Sequence, residues 1–273
     1  MNFESISSLQ NPRVKRVVRL RDRRDRDREQ LFLIEGYREL SRAVAGGCAI
    51  SELYFCPELF LGANETALLE RVTSTCGAAT FEVSRPVFEK MTYRDRPEGL
   101  LAVAPQPQWR LERLGAPPIP LYLVVVAVEK PGNLGTMLRT ADAAGVDAVI
   151  VCDRCTDLFN PNVVRASIGT LFTVPIAEAT TDELLPWLTS RAVHIAAATP
   201  TGTAIYSESK LDGPLAFVVG SEQYGLPERW LTAATERLRI PMAGSADSLN
   251  VAVATAVLVF EARRQRRAGR SGS

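Results

Sequence analysis

The chain has 273 residues, 46% hydrophobic and 23% charged, with 18 Gly and 17 Pro, a balance that excludes disorder and fibre and suits one large domain or two smaller ones. Its longest apolar runs, 121–128 and 251–260, fall well short of the roughly 18 residues of a membrane span, the first ten residues lack a secretory pattern, and five cysteines offer no disulfide framework, so the cytoplasm is the expected compartment. The net charge of +1 hides an asymmetry: nine Arg or Lys against three Asp between Arg13 and Arg28, and five Arg in 263–273, leave −10 for the rest.

In chain order, Val14, Val17 and Val18 stand at helical spacing within the basic stretch. This Arg/Asp segment has two readings, a solvated helix surface laced with its own ion pairs or a footprint for a polyanion. The apolar LFLIEG at 31–36 predicts a strand, Tyr37–Val44 a helix, and Ile50–Phe55, the neighbourhood of Thr80–Val83, and Leu100–Ala104 further strands. Residues 1–104 therefore read as a small α/β domain. Residues 105–120 hold five prolines and read as a linker.

From 121 to 273 the alternation is stronger. LYLVVVAV (121–128) predicts a parallel strand buried on both faces. Leu134–Ala144 predicts a helix with Asn133 as its N-cap and Gly145 at its end. Strands are expected at Ala148–Val151, His194–Ala198, Leu215–Val219 and Arg239–Met242, and a last helix at about Leu249–Gln265. The last three strands run into TPTG (199–202), GSEQYG (220–225) and AGSADS (243–248). A parallel α/β sheet binds ligands where loops leave the carboxyl ends of its strands, so these small-residue loops bring backbone close to a ligand.

Familiar cofactor signatures are missing. PGNLGT (131–136) is not G-x-G-x-x-G and there is no P-loop, which weakens a nicotinamide oxidoreductase reading that rests on the α/β pattern alone. Cys152-x-x-Cys155 has no second pair and no histidine cluster to complete a metal site. The single histidine, His194, falls in an apolar strand, which disfavours a Ser-His-Asp hydrolase. What remains is a polar constellation at the loop ends: Asn133, Arg139, Glu222, Ser248 and Asn250. Each also has a structural reading, with Asn133 and Ser248 as helix caps, Arg139 pairing with Asp142, and Glu222 as a loop charge.

Three ordered segments, EKPGNLGTMLRTADAAG (129–145), FVVGSEQYGLP (217–227) and IPMAGSADSLNVAVATAVLVFEA (240–262), together with NPNVVRASIGTLFTVPI (160–176), resemble the SpoU/TrmH family of RNA ribose 2′-O-methyltransferases in the SPOUT superfamily. FLIEGYREL (32–40) and EGLLAVA (98–104) resemble the RNA substrate-binding domain that many members carry, similar to small RNA-binding ribosomal proteins. The resemblance implies a parallel sheet closed by a deep trefoil knot, an exception to the unknotted rule, and a homodimer. It implies S-adenosylmethionine held by Gly220, Ile240 and Leu249 with Thr199 nearby, and catalysis by Arg139, Asn133, Glu222, Ser248 and Asn250. A noncatalytic RNA-binding relative would lose Arg139 or the 248–250 motif, and both are present. Ribosomal RNA is the expected substrate because of the extra amino-terminal domain, with transfer RNA the alternative. In the family the arginine at position 139 is proposed as the proton acceptor, yet a free guanidinium is a donor with a pKa above about 12. A perturbed base and a cation that steadies the developing alkoxide both remain open.

Overall fold

A computed structural model describes residues 3–270. The chain divides into two compact units: one runs to Gln108 and also includes Asp157–Thr173, and the other comprises Trp109–Thr156 and the chain from Val174 onward.

The first unit opens with β1 (Glu4–Ile6), α1 (Pro12–Arg19), α2 (Arg23–Glu29), β2 (Leu31–Glu35), α3 (Tyr37–Ala45), β3 (Glu52–Phe55), α4 (Glu65–Cys76), β4 (Ala79–Val83), α5 (Arg85–Met91) and β5 (Leu100–Pro105). Its sheet runs β1-β4-β3-β5-β2, with β5 antiparallel to both neighbours and the other pairs parallel. Asn11 starts α1 by accepting the Arg13 amide at 2.9 Å, ahead of Pro12 in the first turn. Val14 and Val17 then fall on one face and pack with Phe81, Val83 and Phe88.

Most of the basic stretch is consumed inside this unit. Arg13 pairs with Glu52 at 2.8 Å, Arg16 with Glu29 at 3.1 Å and Arg23 with Asp27 at 3.4 Å. Arg28 pairs with Asp25, and Arg21 donates to the carbonyls of Lys90 and Thr92. Arg26 is 1% exposed and grips Asp157, itself 4% exposed, at 2.6 Å. Of the nine cations, Lys15, Arg19 and Arg24 are exposed, and their side chains make no hydrogen bond or ion pair among the described residues.

The second unit begins with β6 (Leu121–Val126), α6 (Pro131–Ala144) and β7 (Ala148–Cys152). Next comes α7 (Pro161–Ala166), within the stretch that belongs to the first unit. The sequence pattern places 157–173 in the domain from 121 onward. Its packing differs because Asp157 answers the buried Arg26, a partner 131 residues away, and because Gly169 lies so close to α3 that a Cβ there would sit 2.9 Å from the Glu39 Cα. The 105–120 stretch is likewise no free linker. Gln106 donates to the Arg26 and Leu31 carbonyls, and Leu111 is buried in the core of the second unit.

The remaining elements are β8 (Ile176–Ala179), α8 (Thr181–Ser190), β9 (His194–Ala198), β10 (Ala204–Ile205), β11 (Leu215–Val219), α9 (Glu228–Ala233), β12 (Glu236–Arg239) and α10 (Val251–Arg270). The sheet order is β10-β12-β9-β11-β6-β7-β8, parallel throughout. Every residue of β6, β7 and β11 is buried, as continuous apolar strands covered on both faces require. Each buried Leu, Val, Ile or Phe side chain among them contributes about 1.5–3 kcal/mol by burial. No helix among the described residues is long and apolar enough to cross a membrane.

Three local expectations need correction. α6 starts at Pro131 with Lys130 before it, so Asn133 is inside the first turn and its side chain is released for other work. The strand expected at Arg239–Met242 is β12, which ends at Arg239, so Ile240 lies in the following loop. Asn250 rather than Ser248 caps α10, its side chain accepting the Ala252 amide at 3.0 Å.

Candidate active site

Strands β12, β9 and β11 are sheet neighbours pointing the same way, so the loops leaving their carboxyl ends converge. They enclose a cavity of about 840 Å³ lined by Thr199, Gly220, Glu222, Ile240, Ser248, Leu249 and Asn250. These are the four expected cofactor residues and three of the five expected catalytic ones. They come from three chain segments separated by tens of residues, which only parallel strand order brings together.

Backbone proximity has a different cause from the expected one at two of the glycines. Gly225, at φ +66°, closes the 221–225 turn, in which the Ser221 and Gly225 amides each donate to the other residue's carbonyl at 3.1 and 3.0 Å. A Cβ on Gly220 would lie 2.2 Å from the Gly225 carbonyl oxygen. A Cβ on Gly202 would lie 2.6 Å from the Leu238 carbonyl carbon of β12. Both glycines are therefore required by the protein's own chain crossing, before any ligand is considered.

A polar relay stands at one side of the cavity. The Asn133 amide on α6 donates to Glu222 Oε1, and Asn250 Nδ2 donates to Asn133 Oδ1 at 3.2 Å. Asn250 cannot swing away, because its own Oδ1 caps α10. Glu222 is thus held through one oxygen, while Oε2 is buried without a partner. An unsatisfied buried acceptor costs about 1–3 kcal/mol and calls for a donor supplied by a ligand. The carboxylate, a cleft walled by Leu231, Leu238 and Leu258, and exposed loop backbone fit a ligand with an apolar face and hydroxyl or amine donors, as S-adenosylmethionine and a ribose both provide.

Arg139 is not among the cavity-lining residues. It lies six residues beyond Asn133, about a third of a turn off that residue's face by helical geometry. Its side chain is exposed and makes no hydrogen bond or ion pair among the described residues, so the expected pairing with Asp142 is not formed. The lining residues not singled out from the sequence include Lys130, immediately before α6, and Tyr224, 77% exposed on the turn that carries Glu222. A basic residue just ahead of a helix start was a visible signal for the first. Nothing in the sequence marks the exposure of the second.

The cysteine pair sits apart from this cleft. Cys152 is buried against Thr181, and burial pushes its thiol up to about 12. Cys155 is exposed, and no cysteine among the described residues is disulfide-bonded.

A parallel sheet with a polar cleft at its carboxyl edge defines an α/β ligand-binding enzyme scaffold, and comparison with known proteins gives it a family. Residues 120–260 match the SpoU rRNA Methylase family, and residues 11–102 match the MRM3-like substrate binding domain. The chain belongs to the SpoU rRNA methylase family. It is 31% identical to the 23S rRNA (guanosine(2553)-2′-O)-methyltransferase RlmP of Bacillus subtilis, over 96% of this chain and 100% of that one. A solved RNA 2′-O ribose methyltransferase is 41% identical with a TM-score of 0.85, covering 96% of this chain and 99% of its own. An AdoMet-bound rRNA methyltransferase from Sinorhizobium meliloti is 33% identical with a TM-score of 0.88, over 96% and 98%.

Proposed function

We propose that the protein is an S-adenosylmethionine-dependent methyltransferase that acts on a ribose 2′-hydroxyl of ribosomal RNA. The observation that carries this reading is the Asn250–Asn133–Glu222 relay beside the cavity formed by the 199–202, 220–225 and 240–250 loops, in which the buried Glu222 Oε2 is left without a partner. Thr199, Gly220, Ile240 and Leu249 would hold S-adenosylmethionine, which supplies the electrophilic methyl when bound. Asn133 and Asn250 fix Glu222, whose Oε2 accepts from the substrate ribose and orients it. Ser248, exposed on the cavity rim, adds a hydroxyl donor there. Arg139, whose side chain is unpaired and exposed, is free to clamp a substrate phosphate and to act at the 2′-hydroxyl in one of two roles, as the acceptor of its proton or as a cation that steadies the alkoxide while that proton passes to water.

Two features of the family accompany this reading. The strand order supports the trefoil knot, since the chain leaves β10 to place β11 beside β6 and then returns to insert β12 between β9 and β10. A homodimer is supported by α10, where Val253 and Phe260 at i and i+7, with Leu249 just ahead, are 50%, 49% and 37% exposed. We infer a cytoplasmic location from this substrate class and from the bacterial relatives. The test is transfer from methyl-labelled S-adenosylmethionine to isolated ribosomal RNA and, in parallel, to transfer RNA, followed by nuclease digestion. A 2′-O-methylated nucleotide is expected. Label on a nucleobase, or on transfer RNA alone, would refute the assignment.

A further inference from the structure

The first unit has a cavity of its own, about 540 Å³, where the start of α3, the 61–65 turn and the 92–98 loop meet the end of α7. Arg94 builds its floor. Its guanidinium donates to Glu39 Oε1 at 2.6 Å, to Glu98 Oε1 at 2.6 Å and to the Glu35 carbonyl at 2.8 Å. Gly36, at φ +104°, makes room for this: a Cβ there would stand 2.7 Å from the guanidinium. Glu39 is 3% exposed, and burial raises its carboxyl pKa against the opposing pull of Arg94.

Three observations set this cavity apart from a structural ion-pair cluster. Glu65 is 5% exposed and lines it. One of its oxygens accepts the Leu61 and Gly62 amides at 3.1 Å each, while Oε2 has no partner. The Arg94 Nε donor is also buried and unpartnered. At the mouth, Arg38 and Arg165 are exposed, and their side chains make no hydrogen bond or ion pair among the described residues. Leu61, 76% exposed, and the half-buried Tyr37 add apolar surface to the lining. The demands are specific: an N–H for a carboxylate, an acceptor for a guanidinium nitrogen, an apolar face against that surface, and an anion outside against two arginines. A nucleobase edge offers a donor beside an acceptor, and the nucleotide carries a phosphate as its anion. Paired bases in an A-form duplex cannot enter, since their edges are occupied and the major groove is closed to side chains.

We propose that this cavity takes up one unstacked nucleotide of the RNA substrate, base inward against Glu65 and Arg94 and phosphate outward on Arg38 and Arg165. The site would select RNA by the presence of a bulged or looped-out nucleotide at a distance from the reacting ribose. This rests on the RNA reading of the protein but concerns only the first unit.

The experiment uses the full chain and two fluorescent RNA hairpins, identical except for a single-nucleotide bulge, in anisotropy titrations at fixed salt. The wild-type protein should bind the bulged hairpin about tenfold more tightly, the order of one good base contact. Arg38→Ala with Arg165→Ala should erase most of that preference while S-adenosylmethionine affinity is unchanged. Glu65→Gln retains an acceptor for the Leu61 and Gly62 amides and should fold. It turns the free acceptor into a donor and should alter which bulged base is preferred. Equal affinity of the wild type for both hairpins, or full preference in the double-arginine variant, would overturn the proposal. Absence of methyl transfer with the bulge preference intact would remove the enzymatic reading and leave this site standing.

Discussion

The Arg13–Arg28 stretch and the loops around Glu222 make an instructive pair. The first is dense with charge and suggests a polyanion partner on sight, yet six of its nine cations are tied into the first unit by ion pairs or carbonyl contacts. The second is made of Gly, Ser, Ala and Thr and carries few charges, yet it holds a cavity and a carboxylate oxygen in search of a donor. Availability for a partner follows from unmet hydrogen-bonding capacity at an accessible place, and charge density in sequence does not report it. The cluster that does combine unpaired arginines with unmet buried groups, Arg38 and Arg165 over Glu65 and Arg94, lies outside the basic stretch.

The sharpest way to break this contrast is Arg26→Ala. It strands Asp157 in the interior and should cost about 3–5 kcal/mol in denaturant unfolding, whereas Arg26→Met combined with Asp157→Leu should recover most of the loss. A wild-type-like Arg26→Ala protein would return the residue to the set of possible RNA contacts. On the other side, Asn133→Ala and Arg139→Ala should each lower kcat by roughly 10²–10³-fold while S-adenosylmethionine affinity, read by calorimetry, stays near the wild-type value. Arg139→Lys should be little better, because an ammonium lacks the planar fork. Near-normal turnover in the lysine variant would assign Arg139 the role of a mere point charge.

A smaller effect comes from the buried thiols. Burial lifts Cys152 to about 12 and Cys48 to about 11 from an ordinary 9.0. Their neutral forms therefore contribute stability that is intact below pH 9 and is lost as the pH climbs through the folded values. Unfolding free energy should decline between pH 9 and 11, and less so in a Cys48→Ala, Cys152→Ala double variant measured against its own neutral-pH value. The smallest effect belongs to the free surface cations. Charge reversal at Lys15, Arg19 and Arg24 should leave stability alone and flatten the log–log salt dependence of RNA affinity by at most about three units. An unchanged slope would make the whole stretch an ion-paired surface.

Much of the second unit was legible in sequence because its signals are local. Continuous apolar runs at 121–126 and 215–219 mark strands buried on both faces, and Gly145, at φ +66°, ends α6 where a left-handed cap is required. The loop residues Thr199, Gly220, Glu222, Ile240, Ser248, Leu249 and Asn250 were identifiable from motif wording, and their convergence follows from adjacent parallel strands. Tertiary structure alone decided matters in which a residue's partner lies far along the chain. Arg26 and Asp157 are separated by 131 positions, Asn133 and Glu222 by 89, and Arg94 and Glu39 by 55. Propensity and periodicity extend over one or two turns of chain, so they place a charge on a helix or loop. Whether that charge ends in a buried pair, a relay or an open cavity depends on which distant group the folded chain sets opposite it.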